Sequence, residues 1–327
     1  MAEDLVLGLD VGGTATRAAV VSLAGAVVGT GRAGGGNPTS HGAEPAAREL
    51  GNALRAALAG TDAGRVRAGF IGLAGLGRVL SDPGGRAAFD RAWADAGLRC
   101  PYTMDSDALV AYASATSAAT GTVLIAGTGA VAAAVHDLCL VHTADGHGWL
   151  LGDAGSGFWL GREAVRHSLL HLDTGRQPGP LIRALLTDLV GPAEPDGRRT
   201  TDLIVQAVTR RQPIELARLA PVVLAAHTDG DPLATQIVTE AAGLLTGSVA
   251  VVRAPDQTGP VVLAGGLLAG TALADAVGAA LSTRWPSAPL LPAGDGAVGA
   301  AWLAARALPD MDPDRAAALH ARLTGAA

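Results

Sequence analysis

The strongest constraint on the fold is a pattern of apolar segments joined by short turns of small residues, which occurs twice in the chain. The first copy begins at Leu5 and reads LVLGLDVGGTATRAAVVS, and a third apolar segment, AVVGTGRA, follows it. The second copy begins at Gly121 and reads GTVLIAGTGAVAAAVHD, followed by LCLVH. Short apolar runs bounded by glycine turns predict β-strands. Each copy therefore predicts three strands, and the likeness of the copies indicates an internal duplication.

Helical segments alternate with further apolar segments along the rest of the chain. Residues 43–59 and 85–97 have helical spacing on either side of the buried segment AGFIGLAG at 68–75. Residues 156–253 are mostly helical, and a strand, a pair of glycines and a helix return at 259–270. This alternation predicts an α/β fold.

The length of the chain predicts two domains. The chain has 327 residues, and a typical domain has about 150. We expect a first domain over residues 1–117, completed by a C-terminal helix at 312–327. The second domain is expected over residues 118–311, with the helical segment of about 156–253 inserted in it. A cleft between two domains is the expected ligand site.

Composition excludes several function classes. The chain has no lysine, so all 24 residues counted as lysine or arginine are arginine. A Walker P-loop, a protein kinase and Schiff-base chemistry each need a lysine. The net charge of −6 argues against a nucleic-acid or acidic-membrane partner, since both require a basic surface. Any nucleotide phosphate must therefore be bound by backbone amides, hydroxyls, a metal ion or arginine.

The cysteine count and the first residues lead us to expect a cytoplasmic protein. Cys100 and Cys139 are too few for a disulfide framework or a four-cysteine metal site. Strand-like residues follow MAED directly, which is unlike a signal peptide. No uninterrupted apolar run reaches the roughly 18 residues of a membrane span. We therefore expect no membrane partner.

The first turn carries a carboxylate, two glycines and a hydroxyl. Asp10 ends the first apolar segment, and Gly12, Gly13 and Thr14 follow it. Glycines let backbone N–H groups approach an anion, and a carboxylate at a strand end holds a hydrated Mg²⁺ ion well. The turn suits the terminal phosphates of a nucleotide, although an ordinary hairpin turn has the same composition.

Two later glycine turns extend the same hypothesis. Gly127, Thr128 and Gly129 form the turn of the second copy, and two such turns facing each other would surround the β- and γ-phosphates. Gly265 and Gly266 in LAGGLL suit the close passage of an adenosine.

The ordered set GLDVGGTATR, GLAG, DSDA, IAGTGA, GWLLGDAGSGFWLG and LAGGLL resembles the N-acetylglucosamine kinase branch of the BadF/BadG/BcrA/BcrD ATPase family. That family lies within the superfamily of actin, sugar kinases and heat-shock ATPases. The resemblance covers almost the whole chain and implies two ribonuclease-H-like (actin-like ATPase) domains that close around ATP and a sugar. It also implies Mg²⁺ as a cofactor and a homodimer.

The resemblance identifies Asp107, in DSDA, as the base that accepts the proton of the attacking sugar hydroxyl. Phosphoryl transfer needs such a group together with in-line positioning and charge neutralisation. The alternative role for Asp107 is a helix N-cap, which aspartates at strand-to-helix junctions often provide. Asp105 is the second candidate for either role.

Further contacts follow from the same resemblance. Asp153 matches the residue that accepts hydrogen bonds from sugar hydroxyls, and Asn37 and Gly129 match positions that meet the substrate. A buried turn aspartate and an Asn-Pro turn are the structural alternatives for the first two. Trp149 is placed to stack on the sugar. Arg17 either approaches phosphate or is a solvated arginine at a strand end.

One departure from the family leaves the substrate open. Ala154 stands where the commoner family pattern, GDEGS, has glutamate, which removes one possible polar contact to the sugar. We expect transfer to O6 of an amino sugar, N-acetylglucosamine first, with glucosamine, glucose, N-acetylmuramate or a related sugar or cyclitol as alternatives.

Three rival hypotheses use other motifs. GTGAVA followed by Asp145 fits a dinucleotide-binding Rossmann turn if a helix begins at Gly129. His167 and His171 are spaced for a zinc site but lack the glutamate of the common motif. An ATP-driven activator of a partner enzyme would share the phosphate turns but needs closely spaced cysteines for an iron–sulfur cluster.

Overall fold

The computed structural model describes residues 3–191 and 197–325 and divides into two compact units. Unit 1 comprises residues 1–119, 137–139 and 293–327, and unit 2 comprises residues 120–136 and 140–292. The outermost residues of the predicted first domain, 1–2 and 326–327, lie outside the described part, and so do residues 192–196 of the predicted helical insertion.

Ten strands and thirteen α-helices are described. The strands are β1 (Leu5–Val11), β2 (Thr16–Ser22), β3 (Val27–Ala33), β4 (Val66–Leu73), β5 (Tyr102–Asp105), β6 (Gly121–Ala126), β7 (Ala130–His136), β8 (Cys139–Asp145), β9 (Val261–Ala264) and β10 (Leu290–Pro292). The helices are α1 (Pro38–His41), α2 (Ala43–Ala57), α3 (Leu76–Leu80), α4 (Pro83–Asp95), α5 (Asp107–Ala113), α6 (Gly157–Asp173), α7 (Pro180–Val190), α8 (Gly197–Thr209), α9 (Ala220–Thr228), α10 (Pro232–Val252), α11 (Ala272–Arg284), α12 (Gly296–Arg306) and α13 (Pro313–Thr324).

The sheet of unit 1 has the strand order β3-β2-β1-β4-β5. Strands β1, β2 and β3 pair antiparallel, whereas β1, β4 and β5 run parallel. Every residue of β1 except Asp10 is buried. Central parallel strands need this near-continuous apolar pattern because helices cover both faces of the sheet. The parallel strands place their carboxyl ends, and the residues that follow, at one edge.

The chain returns to unit 1 earlier than the sequence predicted. Residues 293–311 were expected in the second domain, but they belong to unit 1 because α12 packs directly against β1. A Cβ atom at Gly8 would overlap the backbone of Ala297 and Ala301. Only a strand glycine facing a helix of small residues permits such a close approach.

Unit 2 repeats the strand order of unit 1. Its sheet runs β10-β9-β6-β7-β8, with β6 antiparallel to β7 and parallel to β9. In each unit the first strand along the chain is therefore central, a hairpin lies on one side of it and parallel strands lie on the other. The predicted α/β fold class with two domains of one type is confirmed.

Helices α6 to α10 lie between β8 and β9 and form a large part of the core of unit 2. In the described part, α10 is long and apolar enough to cross a membrane by length and composition, with 21 residues and a mean hydropathy of 1.3. Glu240 interrupts its apolar run, and Ile237, Ala241 and Leu245 are fully buried in the core. A core helix satisfies the same criteria as a membrane helix.

Candidate active site

Asp10 lies near the carboxyl end of β1, at the edge where β4 and β5 also end. The pKa of its carboxyl group is raised from 3.8 to about 6, mainly because burial removes water from the charge. The nearby carboxylates of Asp107 and Asp295 raise this pKa further, whereas Arg17 lowers it. This edge therefore gathers more negative charge than its single arginine neutralises.

Asp107 is the first residue of α5, but it is not the helix cap. Ser106 caps the helix, since its Oγ accepts the N–H of Ala108 at 3.2 Å. The capping alternative for Asp107 is therefore wrong. The hydroxyl of Ser106 lies 3.2 Å from Oδ1 of Asp107 and donates to it. Burial raises the pKa of Asp107, whereas the Ser106 hydroxyl and the backbone N–H groups of Ala108 and Asp107 lower it, and no cationic side chain of the described residues acts on it. Asp105 instead accepts the N–H of Ser106 at 2.6 Å.

Asp295 is a charged neighbour that the sequence motifs did not reveal. It caps α12 by accepting the N–H of Ala297 at 2.9 Å, and its charge contributes to the raised pKa of Asp10. A Cβ atom at Gly296 would lie 2.7 Å from Oδ2 of Asp10, so only glycine lets the first turn of α12 approach that carboxylate. An Asp-Gly pair before a helix of small residues was the signal available in the sequence.

The first turn leaves two backbone N–H groups free. The N–H of Gly12 donates to the carbonyl of Ala15 at 3.0 Å, and the carbonyl of Gly12 accepts the N–H of Gly36 at 2.9 Å. The N–H groups of Gly13 and Thr14 donate to no described residue. A Cβ atom at Gly13 would meet no described atom within 4 Å. Neither the local conformation nor packing therefore requires glycine at position 13.

Arg17 and Asn37 both have partners close to the first turn. Arg17 lies opposite Asp10 in the β1–β2 register, and its Nη1 lies 3.3 Å from Oδ2 of Asp10. Asn37 caps the short helix α1, because its Oδ1 accepts the N–H of Thr39 at 2.8 Å. A Cβ atom at Gly75, which follows β4, would overlap the Asn37 side chain. The structure thus places Asn37 at the same sheet edge as Asp10.

The turn of unit 2 is held by the start of α6. The carbonyl of Gly127 accepts the N–H of Gly157 at 2.8 Å, and the carbonyl of Thr128 accepts the N–H of Phe158 at 3.2 Å. The N–H groups of Thr128 and Gly129 donate to no described residue. The turn thus uses its carbonyls for its own support and leaves two N–H groups available.

Asp153 is buried beside this turn. Its Oδ1 accepts the N–H of Ala130 at 3.2 Å, and a Cβ atom at Gly129 would lie 2.9 Å from its carboxylate oxygens. Burial raises its pKa, the charge of Asp145 adds to that rise, and the N–H of Ala130 and His147 oppose it. Asp145 also binds the backbone of the loop that carries Asp153, a role that no sequence motif indicated.

The remaining predicted site residues of unit 2 differ in exposure. Trp149 keeps 38% of its surface exposed and lies edge-on to Phe158, with ring centroids 5.7 Å apart. Gly265 has a φ of +93°, and a Cβ atom there would overlap the backbone of Ala126 at the end of β6. A Cβ atom at Gly266 would meet no described atom within 4 Å. Gly265 is therefore needed by the fold, whereas Gly266 leaves open space.

The sequence with these turns and carboxylates matches a protein-family model over most of its length. The model of the BadF/BadG/BcrA/BcrD ATPase family matches residues 7–304. The chain belongs to this family. The resemblance predicted from the motifs is thereby confirmed.

Proteins similar to this chain are named as sugar kinases. An N-acetyl-D-glucosamine kinase of Dictyostelium discoideum is 31% identical over 147 residues, so the match spans only 44% of this chain and 44% of that relative. The structure of a proposed N-acetylglucosamine kinase from Chromobacterium violaceum is 25% identical, with a TM-score of 0.72 over 92% of this chain and 99% of that one. A ROK glucokinase from Streptomyces griseus, solved with glucose and AMPPNP, shares the fold at 22% identity and a TM-score of 0.58, over 92% and 99% of the two chains.

Two of the rival hypotheses, the Rossmann turn at GTGAVA and the zinc site at His167 and His171, require sites that the structure does not form among the described residues. The sequence GTGA leads into the strand β7 rather than into a helix, so the rival Rossmann hypothesis is wrong. His167 and His171 lie on α6, where their Nε2 atoms contact Arg166 and the carbonyl of Gln177. Among residues 3–191 and 197–325, no three His, Cys, Asp or Glu side chains are grouped to hold a metal ion by themselves.

Proposed function

We propose that this chain is an ATP-dependent kinase that transfers the γ-phosphate of ATP to O6 of an amino sugar, with N-acetylglucosamine as the first candidate. Family membership and the names of the two relatives from Dictyostelium discoideum and Chromobacterium violaceum support this substrate class.

The observation that carries the proposal is the environment of Asp107. It is a partly buried carboxylate that caps no helix, and among the described residues no cationic group offsets its raised pKa. A carboxylate that burial makes more basic is a better proton acceptor near neutral pH. In the proposed reaction, Asp107 takes the proton from the sugar hydroxyl as that oxygen attacks the γ-phosphorus, and the bond between the γ-phosphorus and the bridging oxygen of ADP breaks so that ADP leaves.

Backbone N–H groups are proposed to bind the phosphates. Gly13 and Thr14 offer two in unit 1, and Thr128 and Gly129 offer two in unit 2. Fixed N–H groups stabilise the charge that spreads over the phosphate oxygens during transfer and need no reorganisation. Because the chain lacks lysine, these groups and Arg17 are the donors that the proposal assigns to the nucleotide.

Asp10 fits a magnesium site. Its carboxylate supplies the oxygen ligands that Mg²⁺ prefers, and the charges of Asp107 and Asp295 make a nearby cation favourable. The ion would be held largely through water, since no group of three ligand side chains is found among the described residues. When bound, Mg²⁺ neutralises charge on the phosphates.

The sugar is proposed to lie against Asp153, Asn37, Gly129 and Trp149. Asp153 is an acceptor for sugar hydroxyls, and the exposed ring of Trp149 is available for stacking. The absence of a carboxylate at Ala154 favours a substrate that needs one polar contact fewer at that position.

The test is a coupled ADP-release assay with ATP, Mg²⁺ and a panel of hexoses, hexosamines and N-acetylated hexosamines. We expect sugar-dependent ADP release with the highest kcat/KM for N-acetylglucosamine, and no turnover of its 6-deoxy analogue. ADP release that no sugar stimulates would contradict the proposal. Release that depends on a partner protein, from a brown iron-containing preparation, would favour the activator alternative.

The resemblance also leads us to propose a cytoplasmic homodimer whose partner is a small sugar and neither a nucleic acid nor a membrane. Light scattering on the purified protein should give twice the chain mass of 32.4 kDa. A mass of one chain at assay concentrations would contradict the dimer.

A further inference from the structure

Asp145, the last residue of β8, binds the backbone of the turn that contains Asp153. Its Oδ1 accepts the N–H of Asp153 at 2.6 Å, and its Oδ2 accepts the N–H of Ala154 at 2.7 Å. One carboxylate therefore uses both oxygens on two consecutive N–H groups. Hydrogen bonds to an ionised acceptor are about twice as strong as neutral ones.

The turn needs this support because its backbone is unusual. Asp153 has a φ of +56° and Asp145 has a φ of +65°, both in the left-handed region that side chains other than glycine seldom adopt. Such conformations persist only where surrounding contacts compensate for them. A Cβ atom at Gly152 would overlap Oδ1 of Asp145, so glycine at 152 is what admits the carboxylate.

A separate hydrogen bond fixes the direction of the Asp153 side chain. Its Oδ1 is held by the N–H of Ala130 at 3.2 Å, at the start of β7. Asp153 is thus held at its main chain by Asp145 and at its side chain by the hairpin of the glycine turn. Losing the first attachment would free the second to move.

We propose that Asp145 is a positioning residue of the sugar subsite, which sets sugar affinity by holding Asp153 in its left-handed conformation. This inference rests on the proposed function. It assigns a role to a residue outside the matched motifs, in a chain where the turn has Ala154 in place of the glutamate of the commoner pattern.

Asp145 acts on Asp153 through charge as well as through geometry. Burial is the main reason that the pKa of Asp153 is raised, and the charge of Asp145 adds to it. His147 and the N–H of Ala130 act in the opposite direction. Replacing Asp145 with the neutral asparagine would therefore lower the pKa of Asp153.

The experiment compares Asp145→Ala and Asp145→Asn with a matched control, Asp231→Ala. Asp231, which is buried in unit 2, likewise accepts backbone N–H groups, from Leu181, Leu233 and Ala234 at 3.1, 2.9 and 2.9 Å. It caps α10, and these hydrogen bonds involve none of the proposed site residues. KM for sugar, KM for ATP, kcat and Tm are measured for each variant.

We expect Asp145→Ala to raise the sugar KM by about 10- to 100-fold, the usual result of misplacing a binding group by about 1 Å, with the ATP KM within about twofold of wild type. Asp145→Asn keeps one acceptor oxygen and should fall between wild type and Asp145→Ala. Asp231→Ala should lower Tm while leaving the sugar KM unchanged.

The inference is overturned if wild type is active and the Asp145 variants change the sugar KM no more than Asp231→Ala does at a comparable loss of Tm. If Asp145→Ala does not fold, Asp145→Asn decides alone: a sugar KM that is unchanged relative to the ATP KM refutes the role. A wild-type protein that phosphorylates no sugar refutes the proposed function and this inference with it.

Discussion

The glycine turns of the two units follow the first strand of two sheets with the same order, but they obtain their acidic groups differently. In unit 1 the acid lies in the strand itself, as Asp10 of β1, with Arg17 opposite it. In unit 2 the strand β6, GTVLIA, has no acidic residue, and the carboxylate comes from Asp153 in a later loop.

The two turns share one property despite this difference. Each turn engages carbonyl groups in its own support. Each also has two consecutive N–H groups with no partner in the described part of the chain, those of Gly13 and Thr14 and those of Thr128 and Gly129. Both turns thus have backbone N–H groups available to a ligand, whereas their carboxylates come from different elements. In the proposed function, unit 1 carries the base Asp107 and the metal carboxylate Asp10, and unit 2 carries most of the residues assigned to the sugar.

The largest expected effect is on kcat, and it should distinguish Asp107 of unit 1 from Asp153 of unit 2. Asp107→Asn should lower kcat by about 10²- to 10⁴-fold, the usual contribution of a positioned base, with ATP binding retained. Asp153→Asn should act mainly on the sugar KM. Steady-state kinetics and nucleotide titration check both variants. A large fall in kcat for Asp105→Asn, with Asp107→Asn near wild type, would move the base to Asp105.

Removing the carboxylate of Asp10 should change the magnesium dependence of the rate and leave sugar binding in place. Asp10→Ala should raise the Mg²⁺ concentration for half-maximal activity by roughly tenfold, the loss of about 1.4 kcal/mol of binding energy, without abolishing sugar binding. Magnesium titration of the rate measures this, with Asp4→Ala as control, since Asp4 is exposed and pairs with Arg67 away from the site. An unchanged magnesium dependence would remove Asp10 from the metal site.

Alanine at the open glycines should give the same result in both units. Gly13→Ala and Gly127→Ala meet no described atom within 4 Å, so we expect Tm to change little and the ATP KM to rise by several-fold to about tenfold as the new methyl obstructs the phosphates. Gly8→Ala is the contrasting variant, because its Cβ overlaps the backbone of Ala297 and should destabilise the fold. An effect at one turn alone would end the functional equivalence of the two.

The smallest expected effect is a pH dependence of stability that comes from His320 in unit 1. His320 is buried against Trp302, its Nε2 lies 2.8 Å from the carbonyl of Ala113, and burial lowers its pKa from 6.5. The unfolded chain then binds this proton at a higher pH than the folded chain does. Stability from the neutral ring is complete above pH 6.5 and declines as the pH falls below it.

Comparing Tm at pH 7.5 and pH 5.5 for wild type and His320→Gln tests this effect. The carboxyl groups of raised pKa, Asp10, Asp107 and Asp153, change stability in the opposite direction but are present in both proteins. The variant should therefore lose less Tm on acidification than wild type does. An equal loss in both proteins would contradict the assignment.

Features encoded by neighbouring residues could be predicted from the sequence. The strands β1, β2 and β3 and the final helix were predicted because apolar periodicity, glycine turns and an N-cap act over a few residues. The positions of Asp10, Asp107 and the GTG turn at strand ends were predicted for the same reason.

Features that depend on contacts between distant segments could not be predicted. The place of residues 293–311 in unit 1 depends on Gly8 meeting α12, almost 300 positions away along the chain. The influence of Asp295 on Asp10 has the same origin. The bonds from Asp145 to Asp153 span eight residues and require left-handed φ angles that no local motif announces.

The central proposal is that the available N–H groups of each turn bind nucleotide phosphates. Amide ¹H–¹⁵N spectra with and without AMPPNP and Mg²⁺ test it at the level of single residues. We predict downfield shifts for Gly13, Thr14, Thr128 and Gly129, which N-acetylglucosamine alone does not reproduce. Shifts confined to one pair, with the other pair unmoved at saturating nucleotide, would contradict the claim.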